Sequence, residues 1–240
     1  MTAAIEFSRV TKRYGTTVAL HGLDLRVERG EMFGLIGADG AGKTTAIRLM
    51  GGLLHADEGE IRTLGTDPAT HHRAVTEKVG YLSQRFSLYG DLTIDENIAF
   101  FAEIHGVGDY HRRRDQLLAM TRLAPFRTRL ADRLSGGMKQ KLALACTLVH
   151  EPELLLLDEP TTGVDPVSRR ELWKLLSEFL AQGITIVMST TYFDEAERCA
   201  RVALLHDGML LAAGAPADVR GSSPSLEDAF IAGLTAKGTV

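Results

Sequence analysis

Only two cysteines, Cys146 and Cys199, occur in 240 residues. They are too few for a disulfide framework and have no metal-ligand spacing, a usage that suits a reducing cytosol, and both read as packing residues. No window approaches eighteen consecutive apolar residues, and the N-terminal MTAAIEFSRVTK lacks the apolar segment of a secretory signal. The chain is therefore expected to be globular and soluble and not to cross a membrane by itself. An excess of charge of one sign is also missing: the net charge is -4 with acids and bases interspersed, so nucleic acid is not expected as a partner. The only dense basic run, His111 to Arg114, reads as a solvated helix face. The eight histidines are scattered, and even His71-His72 has no nearby cysteine or second pair, so no metal site is read from them.

What is present is a hydrophobic content of 45%, enough to bury a full core in one α/β unit or a domain with a small insertion. Near-alternating apolar residues at Ile5, Phe7 and Val10 and at Leu23, Leu25 and Val27 predict short antiparallel strands, joined by Glu60 to Leu64. Val79 to Ser83 reads as a further strand ending at Gln84. Thr93 and Glu96 form a capping box that opens a helix carrying Ile94, Ile98 and Phe101, and a second helix runs from about Tyr110 to Ala124, stopped by Pro125. A third opens at Ser135-Gly136-Gly137 with a buried stripe of Met138, Leu142, Ala145 and Val149. Leu154 to Leu157 and Ile184 to Ser189 are buried strands around a helix that Asp165 and Pro166 begin. A short helix near Asp194 to Cys199, a hairpin at Asp207-Gly208 and one capped helix around Ser225 to Leu234 complete the pattern. The expected fold is α/β, a mostly parallel sheet with an N-terminal antiparallel β part and an inserted helical part at about residues 93–150. Residues 1–240 form one domain, with a tail from 215 to 240.

Chemistry concentrates in GADGAGKTT, residues 37–45. Gly37, Gly42, Lys43 and Thr44 fit G-x-x-x-x-G-K-[ST] between an apolar strand and a helix. Glycines at 37, 40 and 42 let successive N–H groups point inward, and the helix adds its positive end, which makes Gly37, Ala38, Asp39, Gly40, Ala41, Gly42, Lys43, Thr44 and Thr45 a polyphosphate cradle. Lys43 reaches the outer phosphates and Thr44 a magnesium ion. Such a loop needs a carboxylate at the end of a neighbouring strand, and Asp158 follows four leucines; Glu159 beside it is placed to polarise an attacking water. Ser135-Gly136-Gly137 exposes unpaired N–H groups at a helix start, and on local grounds reads equally as an anion site and as an ordinary N-cap. No second copy of the phosphate loop occurs, and no Asn-Lys-x-Asp or Thr-Lys-x-Asp guanine motif does either.

LSGGMKQ at 134–140 just before LLLLDEP at 154–160, with GADGAGKTT far upstream and Gln84 between, resembles the nucleotide-binding subunit of ATP-binding cassette (ABC) transporters over residues 4–215. The resemblance implies that Tyr14, otherwise a turn tyrosine, stacks on adenine, that Gln84 senses magnesium and contacts a transmembrane permease subunit, and that Asp165 sits at a dimer interface. It implies further that two cassettes pack head to tail, identical, different or as tandem halves, with Ser135 of one closing over ATP held by Lys43 of the other. FSLYGDL at 86–92 and GVDPVSRRELW at 163–173 resemble the ABC-2, multidrug-export branch, which places the chain on the cytoplasmic face of a cell membrane. The alternative is a soluble regulatory or ribosome-associated cassette, but the charged helical linker usual between paired soluble cassettes is not seen. Two departures stand out. Family members usually have Pro at Ala38 and Asn at Asp39, and carry histidine where STTYFDEAER, residues 189–198, has Thr191. Threonine cannot supply a charged imidazolium, so hydrolysis at this chain's own site is expected to be weak.

Overall fold

The computed structural model describes residues 3–84 and 87–236. The N-terminal part is a three-stranded antiparallel sheet. Strand β1 (Ala3–Tyr14) turns at Gly15 into β2 (Thr17–Glu28), and β1 pairs on its other edge with β4 (Glu58–Thr63). These strands are long rather than short, because the alternation continues through several register shifts that bend the ribbon without ending it.

Between β2 and β4 lie β3 (Met32–Ile36) and α1 (Lys43–Met50). A small helix α2 (His72–Thr76), absent from the sequence reading, leads to β5 (Val79–Leu82). The helical part follows as α3 (Ile94–Ile104), α4 (His111–Thr121) and α5 (Gly136–Leu148). Helix α3 has the expected capping box, with Thr93 and Glu96 satisfying each other's backbone N–H groups. Helix α4 stops earlier than expected: Arg122 takes the left-handed conformation (φ 58°), and Pro125 belongs to a separate 3₁₀ turn. Helix α5 is buried along most of its length instead of on one stripe, because α3, α4, α6 and β5 all pack on it.

The second half alternates β6 (Leu154–Asp158), α6 (Pro166–Ala181), β7 (Thr185–Thr190), α7 (Phe193–Ala196), β8 (Arg201–His206) and β9 (Met209–Gly214). Two helices close it, an unforeseen α8 (Pro216–Arg220) and the expected α9 (Leu226–Ala236); residues 237–240 of the anticipated tail lie outside the described residues. The larger sheet has strand order β5-β6-β7-β3-β8-β9 and is parallel except for the β8–β9 hairpin.

Period-two alternation divides the leucine run of β6 between two cores. Leu155 and Leu157 join Ile36, Ile186 and Met188 against α5 and α6, whereas Leu154 and Leu156 join Leu35 and Val187 against α1 and the antiparallel sheet. A strand apolar on both faces must be covered on both, which is why the run is continuous.

Just past α5, His150 stacks on His105 with ring centroids 3.8 Å apart. Burial, and secondarily the neighbouring His105, lowers His150 from 6.5 to about 4. Between those values the unfolded chain binds the proton that the folded chain excludes, so stability should fall as pH drops from 6.5 towards 4. The contribution of His150 between pH 7 and pH 5 should be about 2 kcal/mol, read by urea unfolding at both values. His150→Phe should flatten that dependence, and an unchanged pH slope in the variant would refute the assignment.

Candidate functional site

The strand ladder aligns Ile36 with Thr190 and Asp158 with Ser189, so the C-terminal ends of β3, β6 and β7 meet at one edge of the sheet. Open α/β sheets bind ligands beyond this edge. The loop after β3 is shaped by close backbone approaches. A Cβ on Gly37 would lie 2.2 Å from the Leu205 carbonyl oxygen, and one on Gly42 (φ 99°) would lie 2.7 Å from that of Ala19. Gly40 also has positive φ, and the loop is pinned where the Gly208 N–H donates to the Ala41 carbonyl at 3.2 Å. Gly42 is the N-cap of α1 and provides no side-chain cap, which leaves first-turn N–H groups directed at the cleft.

Lys43 is buried and folds back along the loop. Its Nζ donates to the carbonyls of Gly37 (2.8 Å) and Ala38 (3.0 Å) and stands 3.4 Å from Glu159 Oε1. Thr44 Oγ1 donates to Asp158 Oδ1 at 3.0 Å. Glu159 has φ 51°, a conformation costly for a non-glycine residue, which turns its carboxylate back towards the cleft. Glu159 Oε2 accepts from Gln84 Nε2 at 3.0 Å and from Thr162 Oγ1 at 3.3 Å. The resulting cleft of about 400 Å³ is lined by residues 39–45 with Ala19, Gln84 and Glu159, and the exposed Asp39 stands at its rim.

Ser189, expected only as the end of a strand, donates its Oγ to Asp158 Oδ1 at 2.7 Å and accepts from the Glu159 N–H at 2.9 Å. The register that pairs it with Asp158 was the missing information: both apolar runs end in a polar residue, and these two lie side by side.

Tyr14, Ser135, Gly136, Gly137, Asp165 and Thr191 are not among the residues lining the cleft. Tyr14 is exposed at the end of β1. Ser135 Oγ accepts from the Met138 N–H at 3.3 Å, an ordinary N-cap, while Gly136 has open space beside it. A Cβ on Gly137 would lie 2.0 Å from Ser168 Oγ, so the beginnings of α5 and α6 touch. Asp165 caps α6 by accepting from the N–H groups of Val167 and Ser168, both at 3.0 Å, and bonding from Ser168 holds its carboxyl below the ordinary value. Thr191 directly follows β7, next to the loop after β3. Tyr89 is exposed, with its ring edge-on to Phe100 at 4.4 Å; Phe86 lies outside the described residues.

These features together are an N–H-rich loop at a helix start, a buried ammonium, and a hydroxyl beside a carboxylate. They suit a polyphosphate and a hard cation with oxygen ligands.

Residues 20–162 match the ABC transporter family. The chain is 50% identical over 196 residues to a probable multidrug ABC transporter ATP-binding protein, YbhF, of Escherichia coli (strain K12), covering 81% of this chain and 34% of that protein. It thus spans about a third of the length of that relative. It is 40% identical over 217 residues to the Nod factor export ATP-binding protein I of Burkholderia pseudomallei (strain 1710b), covering 89% of this chain and 71% of that one. A solved ATP-binding subunit of an ABC transporter superposes with a TM-score of 0.87 at 31% identity, covering 96% of this chain and 99% of the other. A dimeric ATP-binding cassette bound to ADP and Pi in a post-hydrolysis state superposes at 0.78 with 27% identity, covering 88% and 98%.

Gly37→Ala should destabilise the fold by more than about 2 kcal/mol, because the added methyl meets backbone that cannot yield. Gly40→Ala, with open space around it but positive φ, should cost about 1 kcal/mol. Urea titration distinguishes the two, and equal small costs would contradict the close packing at Gly37.

Proposed function

The chain belongs to the ABC transporter family, and from that premise we propose that it is the ATP-binding, ATP-hydrolysing subunit that powers export of a substrate across a membrane. The observation that carries this reading is the convergence of Lys43, Thr44, Asp158, Glu159 and Gln84 on one cleft. The names of the relatives, multidrug transport and Nod factor export, favour an exporter over a soluble regulatory cassette. No helix among the described residues is long and apolar enough to cross a membrane. A transmembrane permease subunit is the proposed partner, holding the chain at the cytoplasmic face, with the exposed Tyr89 region as its receiving surface. Residues 1–240 act as one cassette, with about 93–150 as the helical part and 215–240 as a tail.

In this reading residues 37–45 hold the phosphates, and Tyr14 stacks on the base. Thr44, Asp158 and Gln84 would hold magnesium, which would neutralise charge on the phosphates when bound. The paired Thr44 hydroxyl and Asp158 carboxylate oxygens, 3.0 Å apart, fit such an ion. Glu159 accepts a proton from the attacking water. Its position is fixed from three sides, by Gln84, Thr162 and the Ser189 bond to its own N–H. Ser135, Gly136, Gly137 and Asp165 lie outside the cleft in a single chain, and they serve a second cassette, closing over the nucleotide that the partner holds. ATP touching both cassettes stabilises the closed pair by its differential affinity, and hydrolysis removes it.

Glu159→Gln should leave ATP affinity unchanged while lowering steady-state phosphate release by about 10²-fold or more. Wild-type turnover in that variant would remove Glu159 from the mechanism. Thr191 next to the loop lacks the charge of an imidazolium, so the homodimer should turn over slowly, and Thr191→His should raise the rate by about 10²-fold. The comparison includes Thr191→His with Asp39→Asn at saturating magnesium and ATP. Fast wild-type turnover, unmoved by either replacement, would exclude a weakened site.

A further inference from the structure

Behind the cleft lies a carboxylate that the proposed chemistry does not use. Glu195, on α7, is fully buried. Its Oε2 accepts from Thr161 Oγ1 at 2.9 Å and Thr190 Oγ1 at 2.7 Å, and its Oε1 from Arg169 Nε at 2.6 Å and Trp173 Nε1 at 3.4 Å. Four donors from three segments therefore converge on one side chain. Thr161 stands two residues past Glu159, Thr190 immediately before Thr191, and Arg169 and Trp173 in α6.

The same cluster fixes the turn around Thr191 from its other side. The Tyr192 N–H donates to Thr190 Oγ1 at 3.0 Å, and the Arg169 guanidinium sits 4.7 Å from the centroid of the Tyr192 ring while reaching both Asp194 oxygens at 3.0 Å. Arg169 lies one turn into α6, whose Ser168 abuts Gly137 at the start of α5. Polar contacts thus run from Thr161 and Thr190 through Glu195 to Arg169 in α6, and the first turn of α6 packs sterically against the start of α5. Burying a carboxylate and a guanidinium contributes little net stability compared with apolar residues of like volume, whereas removing one partner of such a pair is costly. Its distinctive property is fixed geometry among the segments it joins.

We infer that Glu195 is a positioning residue that couples occupancy of this chain's own nucleotide cleft to the orientation of the Ser135–Asp165 face it offers a second cassette. The inference rests on the function proposed above. Nucleotide entering the cleft displaces the turns at Glu159–Thr161 and Thr190–Tyr192, and Glu195 passes that displacement to Arg169 and the start of α6 as a rigid unit. Coupling of this kind requires both sites to bias the same element, and α6 is that element here.

The test is hydrogen exchange on the full chain, with and without magnesium and ATP, at concentrations where light scattering reads a monomer, alongside calorimetric ATP affinity. In the wild type, nucleotide should slow exchange at the cleft and also at residues 135–139 and 166–169. Glu195→Gln should keep ATP affinity within about twofold and the slowing at the cleft, while the slowing at 135–139 and 166–169 falls at least about fivefold. If Glu195→Gln does not fold, Arg169→Gln carries the same expectation, because it cuts the link to α6 and leaves Thr161 and Thr190 on the carboxylate. A remote response equal to wild type in the variant overturns the inference. So does a parallel loss of affinity and of both responses, which marks a packing role alone. ATP binding by the wild type without any remote response overturns it as well and leaves the nucleotide reading standing, whereas absence of ATP binding removes both.

Discussion

The parallel ladder that sets Ile36 beside Thr190 and Asp158 beside Ser189 is the constraint on which the cleft depends. A shift of one residue would reverse every side chain of β6 and send Asp158 into the opposite core. The register is held by burial on both faces, since alternate leucines of β6 must meet α1 on one side and α5 on the other. Apolar packing therefore decides where the polar groups of the site stand. Within that frame a few bonds of 2.7–3.0 Å from Thr44 and Ser189 suffice to fix the carboxylate.

Much of this was legible in the sequence, because the deciding features are local. The phosphate loop, the capping box at Thr93, the N-cap and proline at Asp165-Pro166 and the Asp207-Gly208 hairpin each rest on a backbone requirement that few residues meet. What stayed hidden is non-local. The strands β1 and β2 continue past the expected ends because bulges absorb the broken alternation. Helix α4 ends at Arg122 rather than at the proline, because the chain must turn to reach α5. Ser189 and Glu195 gave no signal of their roles, since the partners of Ser189 are 30 and 31 residues distant in sequence and three of the four donors to Glu195 are 22 to 34 residues distant. The assembled site also divides the predicted residues in a way that spacing could not reveal: residues 39–45, Gln84 and Glu159 line one cleft, while Ser135, Gly137 and Asp165 gather where α5 and α6 begin.

Charge is distributed unevenly between these two places. The cleft sets one ammonium against the carboxylates of Asp39 and Glu159, with the buried Asp158 bonded to Thr44. The starts of α5 and α6 are capped by the Ser135 hydroxyl and the Asp165 carboxylate, which already accept the N–H groups of Met138, Val167 and Ser168.

The ammonium of Lys43 has three protons, and its three neighbours are the carbonyls of Gly37 and Ala38 and the carboxylate of Glu159. In the proposed reading a phosphate entering the loop would compete with groups of the protein itself, so its affinity would be that of an exchange and not of filling a vacant space. One of the displaced neighbours is the acid that would handle the water. The arriving anion would take over its cationic partner and leave it to the neutral Gln84 and Thr162. Occupation of the loop and release of Glu159 from its ammonium partner would then be a single event.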